Sequence, residues 1–291
     1  MASEGYFLGV DLGGTQMRMG AVSPDGRLVG DVLSSPTGRE FGVETLRGGL
    51  TELTDRMRAT LNGHDIQALG LGIAGAVGPS AVSQLTNLPL LTGIDLEALL
   101  REAAPCPVAL ENDARCFALA EARYGAGRGA RNVCGITLGT GVGCGVILDG
   151  RPHRGAGRQA GEVWNVPLRG RHLEHFLAGS GVVRGYEAAG GELTAGIDAA
   201  EIATRARAGD AAAHEAWRLF AEDLALLCGF AIGLVDPELI VIGGSLAAAS
   251  DLWRPVLAAR LAEHKTPIVM SQLGAAAGVI GAAALNITGG Y

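Results

Sequence analysis

The chain has 291 residues, of which 48% are hydrophobic and 4% aromatic, with 46 glycines. That length and apolar content suffice for two domains or one large one around a substantial core. A formal net charge of −7 with no Lys/Arg cluster argues against a nucleic-acid-binding face, which needs concentrated positive charge, so a small-molecule partner is expected.

Few aromatics and many glycines suit an α/β protein with close helix–strand packing. The five cysteines, at 106, 116, 134, 144 and 228, form no CxxC pair and lie in apolar runs, as free core thiols do in a reducing cytoplasm. No basic segment followed by an apolar run marks a signal peptide. The longest apolar stretch, residues 224–235, is shorter than the about 20 residues a membrane span requires. It is expected to be a buried helix, and no membrane partner is expected.

In chain order, strands are predicted over 6–12, 16–22 and 27–34, with a Ser23-Pro24-Asp25-Gly26 turn before the third. A helix over 43–61, a strand over 68–73, a helix over 96–104 and a strand over 108–111 follow. After a helix near 117–124 the plan restarts with strands over 132–138 and 143–148 and a short run from Gly150. Long helices are predicted over 211–234 and 246–264 around a strand at 238–242, then a strand over 267–272 and an alanine-rich helix. The order repeats a β-β-β-α-β-α theme, so two α/β domains with mixed sheets are expected to flank an interdomain cleft. The boundaries read 1–113 for the first domain and 114–274 for the second, with a helix at about 275–291 packing back on the first.

Two stretches in equivalent places of this repeat look alike, Val10-Asp11-Leu12-Gly13-Gly14-Thr15-Gln16 and Ile136-Thr137-Leu138-Gly139-Thr140-Gly141-Val142. Each carries a strand into a glycine turn with threonine, where backbone N–H groups can hold a phosphate. A plain hairpin with glycine at positive φ would look the same. Asp11, at the end of the first strand, can hold Mg²⁺ directly or through water, or can be a turn residue. Glu111-Asn112-Asp113 ends a strand before a helix, where open α/β sheets place ligand-contacting side chains. Asp113 can accept the proton of a hydroxyl attacking phosphorus while Asn112 orients that hydroxyl, or the pair can serve as a helix N-cap. Ile240-Val241-Ile242-Gly243-Gly244-Ser245 brings a strand into a diglycine and a helix, which suits close approach to a flat ligand or a tight turn.

Taken together, these stretches resemble the ROK family of sugar kinases within the actin-like ATPase superfamily. The likeness extends through Gly70-Leu71-Gly72-Ile73-Ala74-Gly75, Asn87-Leu88-Pro89 and Ala160-Gly161-Glu162, all in family order. It implies an actin-like or ribonuclease H-like fold and ATP- and Mg²⁺-dependent phosphorylation of a hexose, usually at the 6-hydroxyl. It further implies that Asp113 is the general base, and that Asp11 stands near Mg²⁺. Gly13, Gly14, Thr15, Thr137, Gly139, Thr140 and Gly141 would surround the phosphates, with Gly243 and Gly244 near the adenosine. Gly75, Asn87, Asn112, Glu162, Asn165 and Glu174 match sugar-binding positions. A homodimer is expected on the same ground.

The chain departs from the family after Gly161-Glu162. Val163-Trp164-Asn165 stands where members have Ile/Leu-Gly-His, and no cysteine of the family's zinc loop is present. His172 and His175 without thiolates make a poor tetrahedral site, so no zinc is expected and the two are expected on a helix surface. Trp164 and Val166-Pro167-Leu168 are expected to hold the shortened loop by packing, with Asn165 donating to a sugar hydroxyl. Glucose is the first expectation, ahead of fructose, mannose, N-acetylmannosamine and N-acetylglucosamine. A sugar-responsive regulator is disfavoured because only five residues precede Tyr6, leaving no room for the helix-turn-helix such members carry. A catalytically silent sugar binder remains an alternative. A dinucleotide oxidoreductase is not expected, since a strand rather than a helix follows Gly139-x-Gly141-x-Gly143.

Overall fold

The computed structural model describes residues 5–78, 82–83, 85 and 87–287. Contacts divide the chain into two compact units, one from 1–131, 145–160 and 272–291 and the other from 132–144 and 161–271.

In the first unit, β1 (Tyr6–Leu12), β2 (Gln16–Val22) and β3 (Leu28–Pro36) form an antiparallel meander, followed by α1 (Val43–Thr60) and β4 (Ile66–Ile73). A two-residue hairpin, β5 (Ala76–Val77) with β6 (Val82–Ser83), precedes α2 (Leu96–Ala103), β7 (Val108–Asn112) and α3 (Asp113–Tyr124). The sheet order is β3-β2-β1-β4-β7, with β1, β4 and β7 parallel, so the sheet is mixed. Leu8, Val10 and Leu12 alternate along β1 and are fully buried, the period-2 signature of a strand packed on a core. Leu46, Leu50, Leu53 and Met57 put one helical stripe of α1 into that same core.

In the second sheet, β8 (Val133–Leu138), β9 (Val142–Leu148) and β10 (Arg151–Pro152) open the repeat. They are followed by the hairpin β11 (Pro167–Leu168) with β12 (Arg171–His172), then α4 (Glu174–Leu177), α5 (Gly179–Ala188), α6 (Ala199–Arg207) and α7 (Ala211–Val235). The chain closes with β13 (Leu239–Gly243), α8 (Ser250–Arg260), β14 (Ile268–Met270) and α9 (Ala277–Ala284). The order β10-β9-β8-β13-β14 repeats the topology of the first sheet, third-second-first-fourth-fifth. The fold is thus α/β with two mixed, topologically duplicated sheets. Residues 114–131 and 145–160, beyond the boundary read at 113, group with the first unit. There α9 packs on α3, β1 and β4. Positions 288–291 of the expected final helix lie outside the described residues.

Several sequence expectations need correction. The run 224–235 is helical but not buried throughout: Leu226, Phe230 and Leu234, spaced by four, share an exposed stripe, and Leu234 is 85% exposed. Residues 246–264 are not one helix, because a 3₁₀ turn over Ser245–Ala249 precedes α8, which stops at Arg260. His172 lies on a short strand rather than a helix. His175 does lie on a short helix, α4, whereas the sequence pattern predicts neither α5 nor α6.

Candidate functional site

In the first unit, the parallel pairing of β1, β4 and β7 brings three strand ends to one edge of the sheet. Asp11 pairs with Gly72, which pairs with Glu111, so Asn112 and Asp113 follow at the same carboxyl edge. Asp11 forms an ion pair with Arg18, its cross-strand partner, and its Cγ lies 2.8 Å from where a Cβ on Gly278 would stand. In the turn, Gly13 N–H donates to Gln16 C=O at 2.9 Å, while Thr37 braces it through its N–H to Thr15 C=O at 2.9 Å and its hydroxyl to Gly13 C=O at 2.8 Å.

Gly13, Gly14, Gly139 and Gly141 are absent from the positive-φ residues, so the hairpin explanation for glycine fails at both turns. Close approach replaces it at Gly14, where a Cβ would come within 2.6 Å of the Cβ of exposed Asn87.

Asn112 is the N-cap of α3, its Oδ1 accepting from Arg115 N–H at 3.1 Å. Its Nδ2 donates to Gly75 C=O at 3.2 Å, which joins the two sequence-identified positions. Asp113, half-buried, opens the helix and its Oδ1 accepts from Ala114 N–H at 2.8 Å. The cap explanation therefore holds for Asn112 and leaves Asp113 at the rim of the sheet.

Beneath them lies a group that the motif reading did not assign. Glu111, 1% exposed, accepts from Asn112 N–H at 2.8 Å and pairs with Arg115 Nε at 2.8 Å and Arg154 Nε at 2.6 Å. Burial pushes the Glu111 carboxyl up, but the two guanidiniums and the Asn112 N–H outweigh it and hold the group below the usual carboxylate range. Arg115, fully buried, also donates to Ala160 C=O at 2.7 Å, fixing the residue that leads into Gly161-Glu162. The i,i+4 spacing of Glu111 and Arg115 was available in the sequence. The partnership with Arg154 was not.

The second turn is closed by Gly139 N–H donating to Gly141 C=O at 3.0 Å, and Gly139 C=O accepts from Gly179 N–H, at the start of α5, at 2.8 Å. A Cβ on Gly141 would overlap Glu174 Oε2, which accepts from Val142 N–H at 3.1 Å, and one on Gly139 would come within 3.1 Å of Ser245 Oγ. Glu174 is thus tied to the turn rather than standing on a free helix face. Thr137 pairs in register with Gly243 on β13. Gly244 adopts φ +90 and packs against Leu138 C=O, where no side chain fits. Beside this turn opens a cavity of about 900 Å³ whose lining includes Gly139, Thr140, Ser180, Ala199, Trp217 and Leu246. Its volume and mixed lining suit a small organic ligand.

The loop after Gly161 is held by a hairpin and an ion pair, which corrects the packing expectation. Val166 and Pro167 are exposed. Arg169 and Gly170, both at positive φ, form the two-residue turn between β11 and β12, and Leu173 N–H donates to Val166 C=O at 2.8 Å. Arg169 pairs with Asp223 at 2.5 Å and lies 4.1 Å over the Phe176 ring. Glu162 accepts from Trp164 Nε1 at 3.0 Å, and Asn165 C=O lies 3.0 Å from His172 Nδ1.

Among the described residues no three His, Cys, Asp or Glu side chains group as a metal cage. Mg²⁺ does not need one, since it is commonly held by one or two carboxylates, water and substrate phosphates. Asp11, beside a glycine turn, fits that mode.

Duplicated mixed sheets with a glycine turn after the first strand of each define a two-sheet α/β protein of the actin-like class. The model of the ROK family matches residues 7–288, and the chain belongs to that family. It is 29% identical to a glucokinase of Streptomyces coelicolor, with 97% of each chain covered. It is 30% identical to an N-acetyl-D-glucosamine kinase of Vibrio cholerae over 97% of this chain and 99% of the relative. The crystal structure of a ROK family glucokinase from Streptomyces griseus in complex with glucose and AMPPNP superposes with a TM-score of 0.78 at 26% identity, covering 97% of this chain and 99% of that one. No helix among the described residues is long and apolar enough to cross a membrane.

Proposed function

We propose that the protein is an ATP-dependent hexose kinase, with glucose as the first candidate acceptor and Asp113 as general base. The observation that carries this reading is the shared sheet edge of Asp11, Asn112 and Asp113 beside the Gly13–Thr15 turn. A sugar binder needs no carboxylate at that edge, whereas phosphoryl transfer to a hydroxyl uses one as a base. Similarity to glucokinases and to an N-acetylglucosamine kinase supports the class of acceptor without choosing among sugars.

In this reading Asn112, held by Gly75, and Asn87, seated over Gly14, orient sugar hydroxyls. Glu162, Asn165 and Glu174 belong to the same expected set, with Glu174 also bracing the second turn. Asp113 takes the proton of the attacking hydroxyl as its oxygen bonds to the γ-phosphorus. The bond from that phosphorus to the β–γ bridging oxygen breaks, and ADP leaves with the electron pair. Gly13, Gly14, Thr15, Thr137, Gly139, Thr140 and Gly141 would face the phosphates through backbone N–H groups and hydroxyls, and the cavity beside Gly243 and Gly244 would take the adenosine. Mg²⁺, held by Asp11 directly or through water, would neutralise charge on the β- and γ-phosphates. A coupled ADP-release assay against glucose, mannose, fructose, N-acetylglucosamine and N-acetylmannosamine tests the reading. Sugar-dependent ADP release with at least one of them is expected, and none with any would refute it.

A further inference from the structure

The geometry points to Trp164 as the residue that sets discrimination among hexoses, by taking up one of the two carboxylate oxygens that Glu162 would offer to a sugar. This rests on the kinase reading and on Glu162 as a sugar ligand. An ionised carboxylate accepts through two oxygens, so a glutamate facing a pyranose can engage two neighbouring hydroxyls, one per oxygen. Here Trp164 Nε1 donates to Glu162 Oε2 at 3.0 Å, and the two residues are separated by only one position on the 3₁₀ turn Val163–Asn165 and its cap.

The indole has a ring neighbour on β12. His172 lies with its ring centroid 6.5 Å from that of Trp164, and His172 Nδ1 meets Asn165 C=O at 3.0 Å, which ties β12 to the 3₁₀ turn that carries the indole. Glu162 therefore presents Oε1 in full for recognition, while Oε2 already holds one donor. A site built to hydrogen-bond a hydroxyl rejects an analogue lacking it, because the buried acceptor is left unpaired. An oxygen that keeps an indole N–H is not left unpaired when the hydroxyl is absent, so the penalty is smaller and the site is more tolerant at the hydroxyl that oxygen would otherwise demand.

The structure supplies a probe for this. Of the three tryptophans, Trp217 and Trp253 are 1% and 0% exposed, whereas Trp164 is half-buried, so a sugar at Glu162 acts on Trp164 emission selectively. The test compares wild type with Trp164→Phe, which keeps a ring and removes the N–H donor. The quantity measured is the ratio of kcat/KM for the best hexose to that for its deoxy and acetamido analogues, each at saturating ATP. Freeing Oε2 is expected to sharpen this ratio against at least one analogue by about tenfold to a hundredfold, the size of one hydrogen bond to a charged group, with the KM for ATP changed less than about twofold. A merely structural role would lower the melting temperature and the active fraction, neither of which alters a ratio of two substrates on one enzyme. Sugar alone is also expected to change wild-type emission. Ratios unchanged for every analogue, or wild-type emission indifferent to a sugar that is turned over, would overturn this proposal and leave the kinase reading standing. Wild type inert to every hexose would overturn both.

Discussion

The two glycine turns occupy the same place in a repeated topology, yet their surroundings differ in kind. The first is braced by Thr37, seats Asn87 against Gly14 and shares its sheet edge with Asp11 and Asp113. The second is braced by the start of α5, seats Glu174 against Gly141 and opens on the cavity lined by Thr140, Ser180 and Trp217. The same backbone device occurs twice, and different side chains are placed over each turn, Asn87 over Gly14 and Glu174 over Gly141. The carboxylates Asp11 and Asp113 gather at the first, and a cavity of about 900 Å³ opens at the second, which in the proposed reading makes the first the acceptor side and the second the nucleotide side.

The sharpest way to break this comparison is at Asp113. Asp113→Asn is expected to fold normally and to lower kcat by about 10²–10⁴, the usual contribution of general-base assistance, with ATP affinity nearly unchanged. Steady-state kinetics with nucleotide titration checks it, and near-normal kcat would remove the base from the first region. Next comes the buried ion group beneath it. Glu111→Gln leaves Arg115 buried without its counter-charge and should cost about 3–5 kcal/mol of stability, read by denaturant unfolding.

Because the folded carboxyl of Glu111 lies below its unfolded value of about 4.3, its contribution is full above that pH and fades as pH falls through the folded value. The stability gap between wild type and Glu111→Gln should accordingly narrow on acidification below about pH 4 and stay constant from there to neutrality.

A crossed pair of glycine variants sharpens the contrast itself. Gly14→Val displaces Asn87 as well as crowding the first turn and should raise the KM for sugar by about tenfold with a smaller rise for ATP, while Gly141→Val displaces Glu174 as well as the second turn and should raise the KM for ATP by a similar factor with a smaller rise for sugar. Equal effects of both variants on both substrates would dissolve the division of labour. The smallest expected effect concerns the loop after Gly161. With Arg169 and Asp223 closing it, EDTA should abolish activity reversibly through Mg²⁺ and leave the melting temperature unchanged, and elemental analysis should find no stoichiometric zinc.

Much of this was legible because strands with period-2 burial and glycine-rich ends announce themselves within a few residues. The strand end at Asn112 and the turns at Gly13 and Gly139 are of that kind. The reason for glycine was not legible. Positive φ is the usual inference, but the space over Gly14 and Gly141 is claimed by side chains 73 and 33 residues further along the chain. Arg154 as partner of Glu111 is likewise a product of tertiary folding. Residues 174–207 form three short helices, for which periodicity is a weak signal. The exposed stripe of Leu226, Phe230 and Leu234 defeats the assumption that an apolar helix is buried all round.

The most direct test of the central claim, that the first region directs the 6-hydroxyl of a hexose onto the terminal phosphate of ATP, is identification of the product. Wild type incubated with ATP, Mg²⁺ and the preferred hexose, followed by phosphorus NMR of the sugar fraction, should give a hexose phosphorylated on its 6-hydroxyl, and Asp113→Asn should give none in the same time. A sugar 1-phosphate, or ATP hydrolysed to inorganic phosphate with no phosphorylated sugar, would contradict it.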